Sequence, residues 1–117
     1  MKSTRLIGAL CVATALSGCS ADVQLSPEAA VGLEVAQGNG CLACHDAGRV
    51  GPDWSGLAGS EVLLEDGSTV IADDAFLRRS IRDPGAQIVA GYTVTMPEND
   101  LTDEEIEAVI AFIREGA

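Results

Sequence analysis

The chain has 117 residues, with seven basic side chains against 18 acidic ones and a formal charge of −11. A surface of that sign repels nucleic acid and anionic lipid headgroups, which excludes both as partners of the folded part. The length allows one domain, yet Trp54, Phe76, Tyr92 and Phe112 are its only Trp, Tyr or Phe residues. These are few for a core of that size, so something other than side chains is expected to fill it.

Met1–Arg5 carries two positive charges and is followed by eleven apolar or small residues, 6–16. Eleven residues are too few to span a bilayer as a helix, and the pattern reads as a secretory signal. The run ends in Leu16-Ser17-Gly18-Cys19, which resembles the lipobox of bacterial lipoproteins. That resemblance implies cleavage before Cys19, a diacylglycerol on its sulfur and an acylated amino group. Several acyl chains together hold a protein stably on a membrane surface. The alternative is an ordinary export signal with an incidental cysteine. The expected organisation is a signal peptide over 1–18, a lipid-anchored tether over 19–26 and a folded domain over 27–117. Beyond residue 18 there are five arginines, no lysine and all 18 carboxylates, a formal charge of −13. Cys11 leaves with the signal and Cys19 takes lipid, so Cys41 and Cys44 alone remain in the fold. A disulfide between those two would close a very small loop and stabilise little.

Ser26-Pro27-Glu28 is a helix start: a capping hydroxyl, proline in the first turn and a carboxylate at the positive helix end. That helix is expected to run to about Gln37 and to end at Gly38-Asn39-Gly40. Residues 46–60 are glycine-rich and read as a loop. Val62–Glu65, Asp66-Gly67 and Ser68–Ile71 have the pattern of a tight β-hairpin with a two-residue turn. Asp73-Asp74 caps a further helix bearing Phe76, Leu77 and Ile81, stopped by Pro84-Gly85. Residues 86–99 are expected to be irregular. Thr102-Asp103-Glu104-Glu105 is a capping box, and the final helix then carries Ile106, Val109, Ile110 and Ile113 at helical spacing.

Chemistry concentrates in Cys41-Leu42-Ala43-Cys44-His45. Two thiols two residues apart, with histidine next, match the spacing that attaches haem covalently through its two vinyl groups. A structural zinc site lacks its second ligand pair, and a thioredoxin-like redox pair lacks its βαβ context. His45 is the sole histidine, and Met96 is the sole methionine after Met1. One imidazole below the iron and one thioether above it would close all six coordination positions. The soft sulfur favours the ferrous state. Such a site passes single electrons and does little else. The haem is expected to form much of the core, leaving the apo chain poorly folded.

Over nearly all of residues 27–117 the chain resembles a class I cytochrome c, and more narrowly the cytochrome c domain fused to subunit II of some bacterial haem–copper oxidases. The resemblance is carried by Gly40 through His45, Gly51-Pro52, residues 56–60, the hairpin with Asp66-Gly67, residues 76–81, Asp83-Pro84, Gly91-Tyr92, Met96-Pro97 and the last helix. It implies an all-α fold wrapped around one covalent haem c, with a small β-hairpin inserted. It implies thioethers at Cys41 and Cys44, and His45 and Met96 on the iron. It also implies that the Pro52 carbonyl orients the imidazole, and that the first and last helices cross with Gly32 allowing close approach and Phe112 nearby. Trp54 and Tyr92 are either propionate contacts or simple packing. The chain departs from the family at Val35, where an aromatic residue is common, at Trp54, where leucine is usual, and at Thr93-Val94, where proline usually approaches the methionine. Arg78, Arg79 and Arg82 are expected to pair with neighbouring carboxylates. The expected function is electron transfer by a monomeric, non-enzymatic, exported lipoprotein facing the periplasm, donating to a terminal oxidase. The alternative is an electron-accepting haem subunit of a periplasmic dehydrogenase.

Overall fold

The computed structural model describes residues 24–48 and 50–117. Cys19, the signal segment and most of the tether lie outside them. The elements are α1 (Pro27–Gly38), α2 (Leu42–His45), a 3₁₀ turn over Asp46–Gly48, β1 (Glu61–Leu63), β2 (Thr69–Ile71), α3 (Asp74–Arg82) and α4 (Asp103–Glu115).

The helix starts behave as their sequences dictate. The Ser26 hydroxyl accepts from the Ala29 amide at 3.2 Å, and the Asp73 carboxylate accepts from the Phe76 amide at 2.8 Å. At Thr102 the capping box closes in both directions. The Thr102 hydroxyl accepts from the Glu105 amide at 3.2 Å, and the Glu105 carboxylate accepts from the Thr102 amide at 2.8 Å.

α4 is the central element. Seven of its residues are buried, adding Ala108, Ala111 and Phe112 to the four of the expected apolar stripe. α1 packs against it through a face of small residues, Ala29, Gly32 and Ala36, all buried. Val31 is turned outward. A Cβ on Gly32 would lie 1.9 Å from the Ala108 carbonyl oxygen and 2.9 Å from the Val109 amide nitrogen. The two backbones therefore touch there. Ser26 fastens the same pair of helices at another point, its amide and hydroxyl donating to the Glu115 carboxylate at 2.9 and 3.0 Å.

α3 is held to α4 by three ion pairs. Arg114 reaches Asp74 at 2.8 Å, Arg78 forks onto both oxygens of Glu107, and Arg82 pairs with Asp103. Positions 74, 78 and 82 are successive turns of one helix face, and their partners fall in reverse order along α4 because the two helices run antiparallel. The arginines were expected to pair with carboxylates, and Arg78 and Arg82 do. Among the described residues Arg79 makes no ion pair.

The hairpin forms, but in a different register. Glu61 faces Ile71, Val62 faces Val70 and Leu63 faces Thr69. The Leu64 amide donates to Ser68 O at 2.8 Å and the Gly67 amide to Leu64 O at 2.9 Å. Three residues, Glu65-Asp66-Gly67, therefore make the loop, not two. Gly67 takes the left-handed conformation (φ 86°) that closes such a turn. The Asp66 carboxylate accepts from the Ser68 amide and hydroxyl at 2.8 and 2.6 Å, which stabilises the longer loop. This register buries Val62 and Leu64 and leaves Glu61 and Leu63 outside. Residues 86–99 are not wholly irregular. Leu64 bridges to Val89, flanked by Glu65 N to Ile88 O at 2.8 Å and Ala90 N to Leu63 O at 2.9 Å. A short third segment thus pairs with the free edge of β1.

Candidate haem site

α2 is a single turn, and the residue before it, Cys41, is anchored by its amide to Ala36 O at 2.9 Å. The turn places Cys41, Cys44 and His45 together at the end of α1. Both thiols are free and half-buried. Burial pushes the Cys41 thiol above its ordinary pKa, against the lowering effect of a backbone hydrogen bond, and Cys44 beside it adds a smaller upward push.

The His45 ring is fixed on several sides. Its Nδ1 lies 2.8 Å from the Pro52 carbonyl oxygen. A carbonyl only accepts, so Nδ1 carries the proton and the Nε2 lone pair is left for a metal. A side chain at residue 51 would strike the ring, since a Cβ there would lie 2.9 Å from His45 Cε1. Glycine before Pro52 is thus a steric requirement. The Gly51 amide also donates to Cys44 O at 2.9 Å, which ties this loop back to α2. Trp54 lies against the ring face, centroids 4.9 Å apart and planes 21° apart.

Two adjoining cavities of about 420 and 410 Å³ meet at Cys44, His45, Trp54, Ile81, Met96 and Pro97. Cys41 lines the smaller. Sequence-predicted residues from three separate stretches, 41–45, 52 and 96, are therefore brought to one hollow, and Met96 is half-buried within its wall. Tyr92 lines the larger cavity. Trp54 is packed on the imidazole and, edge-on, against Phe112, with centroids 6.2 Å apart. That geometry supports its reading as a packing residue.

The hollow fits a large, flat, mostly apolar body with a polar fringe. Apolar side chains of α3 and α4, including Phe76, Leu77, Ile81 and Ile113, form much of its wall. Ser80 and Gln87 also line it, and their Oγ and Oε1 are buried with no hydrogen-bond partner. Buried polar atoms are rarely left so unless a further group is to meet them. In the sequence Ser80 stood out only as part of the family-like stretch 76–81 and Gln87 not at all, because an unsatisfied oxygen becomes visible only when the chain is folded. Among the described residues no group of three His, Cys, Asp or Glu side chains could hold a bare metal ion. The donor set suits a metal that arrives inside a macrocycle.

A thiol pair, one imidazole poised through Nε2 and an apolar hollow lined by a thioether define the class: a c-type haem protein. The sequence model of the cytochrome c family matches residues 29–117, and the chain belongs to that family. Its fold is that of a class I cytochrome c with a small two-stranded hairpin, and it carries covalently bound haem c with iron. Cytochrome c domains are electron carriers and are typically exported. A search of curated proteins returns no match. No helix among the described residues is long and apolar enough to cross a membrane.

Proposed function

We propose that this is a monohaem electron carrier of a bacterial respiratory chain, held by lipid on Cys19 at the exported side of a membrane. It resembles the cytochrome c domain of oxidase subunit II working as a separate lipoprotein, and it delivers electrons to a terminal oxidase. Residues 1–18 are its signal peptide, 19–26 its tether and 27–117 its haem domain. It acts as a monomer and catalyses no reaction of its own.

In this reading the Cys41 and Cys44 thiols would hold the haem, each S–H adding across one vinyl group to close a thioether. His45 would hold the iron through Nε2 and Met96 through its sulfur. The Pro52 carbonyl holds the Nδ1 proton, which orients the imidazole and raises its basicity. When bound, the haem supplies a one-electron iron couple. The walls of α3 and α4 would keep water out, and the Pro52 and Trp54 contacts would hold the His45 ring in place. The observation that carries the reading is the meeting of His45, protonated at Nδ1 by its contact with Pro52, and Met96 in one hollow beside the two thiols.

The surface sets the charge that a docking partner needs. No lysine follows residue 18, and Arg78, Arg82 and Arg114 are engaged in ion pairs. A docking site for such a carrier is basic, and electron delivery slows as ionic strength rises. Spectro-electrochemistry on the natively matured protein tests the ligand set. Met96→Ala is expected to lower the midpoint potential substantially while the haem stays attached through denaturation. An unchanged potential removes Met96 from the iron, and colourless exported protein removes the haem reading altogether. Co-purification of an oxidase supports the partner, and recovery of a flavin or quinone dehydrogenase in its place overturns it.

A further inference from the structure

The His45 ring is held by a hydrogen bond at its edge and by an indole on its face, and the two contacts do different things. The bond from Nδ1 to Pro52 O, 2.8 Å long, leaves the ring at a slant to the line that runs from Nε2 through its far side. Turning the ring about that line swings the Nδ1 proton away from the carbonyl, so the bond sets the tilt and opposes rotation at one edge of the ring only. A flat indole stacked at 4.9 Å and 21° does not tolerate rotation. Turning the imidazole would drive its edge into the Trp54 face.

Trp54 is itself hemmed in. It is 6% exposed, its carbonyl accepts from the Leu57 amide at 3.1 Å, and Phe112 of α4 meets its ring edge-on at 72°. The contact chain runs from the central helix through Phe112 and Trp54 to His45. The smaller leucine usual at this position in the family could not present a flat face.

We propose that Trp54 is a positioning residue that sets the rotational angle of the His45 imidazole about its bond to the iron. The proposal rests on His45 being the axial ligand. The angle of an axial imidazole relative to the porphyrin nitrogens splits the iron d orbitals, so it is recorded in the g values of the ferric protein. It is recorded independently of electron-transfer activity.

The test compares natively matured holoprotein of wild type, Trp54→Phe and Trp54→Leu by low-temperature electron paramagnetic resonance of the ferric form. Trp54→Phe keeps a flat ring and is expected to retain the wild-type g values. Trp54→Leu is expected to shift them while the sulfur-to-iron charge-transfer band persists, showing Met96 still bound. Identical g values in wild type and Trp54→Leu overturn the proposal. If Trp54→Leu does not mature, the wild-type ferrous protein decides. Nuclear Overhauser contacts between indole and imidazole protons are expected, and their absence overturns the proposal equally. His45→Gly separates the two layers of the argument. Should it keep the native low-spin signal, the ligand assignment fails and the Trp54 proposal with it. Should it lose that signal while Trp54→Leu matches wild type, the Trp54 proposal falls by itself.

Discussion

Gly32→Ala inserts one methyl group at the place where α1 and α4 touch, and its cost can be worked from the geometry. The new Cβ would sit 1.9 Å from the Ala108 carbonyl oxygen and 2.4 Å from its carbon. Ordinary carbon–oxygen contacts are about 3.3 Å or longer, so the helices must part by more than about 1 Å. A gap of that size forfeits roughly a quarter to a half of each dispersion contact across it. Ala29 and Ala36, both fully buried on the same face, share the loss. Overpacking costs about 1–3 kcal/mol, and the upper end applies because the obstacle is backbone on both sides. Replacing a helical glycine returns about 1 kcal/mol of propensity. The net expectation is about 2 kcal/mol lost, which for a domain of this size lowers Tm by about 8–16 °C. Gly38→Ala is the internal control. It lies at the end of the same helix with no atom within 4 Å of its would-be Cβ. It is expected to raise stability by up to about 1 kcal/mol through the unfolded chain alone. Circular-dichroism melts of the two haem-loaded variants at one protein concentration decide the matter. A Gly32→Ala protein as stable as wild type, or a Gly38→Ala protein equally damaged, would falsify the close-contact argument.

Thr102→Ala removes the hydroxyl half of the capping box and strands the Glu105 amide; a loss of about 1 kcal/mol, or about 4–8 °C in Tm, is expected in the same assay. Arg78 hydrogen-bonds Glu107 and holds its carboxyl below the usual glutamate range. The unfolded chain therefore takes up a proton first as pH falls, and the pair's contribution, present above the ordinary glutamate pKa, is lost on passing below the native one. Glu107→Gln is expected to be slightly less stable than wild type at neutral pH and to converge with it in acid. Denaturant midpoints measured across that range check this, and a gap that persists in acid contradicts it. Cys19→Ser is expected to shift the protein from the membrane to the soluble exported fraction with its haem spectrum unaltered. Continued sedimentation with membranes after the substitution removes the lipid anchor.

The parts of this fold legible in the sequence are those fixed by neighbours along the chain. Ser26, Asp73 and Thr102 announce helix starts because a cap and its amide lie within three residues of each other. Cys41–His45 announces its chemistry because two vinyl groups and an iron demand that spacing. Gly32 was legible only through family resemblance, since nothing local distinguishes a glycine pressed against Ala108 from one facing solvent. The hairpin register was missed because Asp66-Gly67 suits both a two-residue and a three-residue loop. The choice fell to the Asp66–Ser68 hydrogen bonds and to burial of Val62 with Leu64. The strand-like pairing of Val89 with Leu64 and the stacking of Trp54 on His45 join positions remote in sequence or unconnected by any periodic pattern. The partners of Arg78, Arg82 and Arg114 became readable only once α3 and α4 were seen to run side by side.

The grip of Ser26 on Glu115 bears on how the protein withstands being tugged. Leu25 is wedged under the last helix, where a Cβ on Gly116 would come within 2.4 Å of its side chain, and neither Leu25, Ser26 nor Glu115 lines either cavity. Force arriving along the chain ahead of residue 24 is thus delivered to the junction of the first and last helices. Cys41, Cys44, His45 and Met96, which line the cavities, lie farther along the chain. On the proposed lipid anchor, a pull on the leash would therefore meet the Ser26–Glu115 clasp before it reached the thiols.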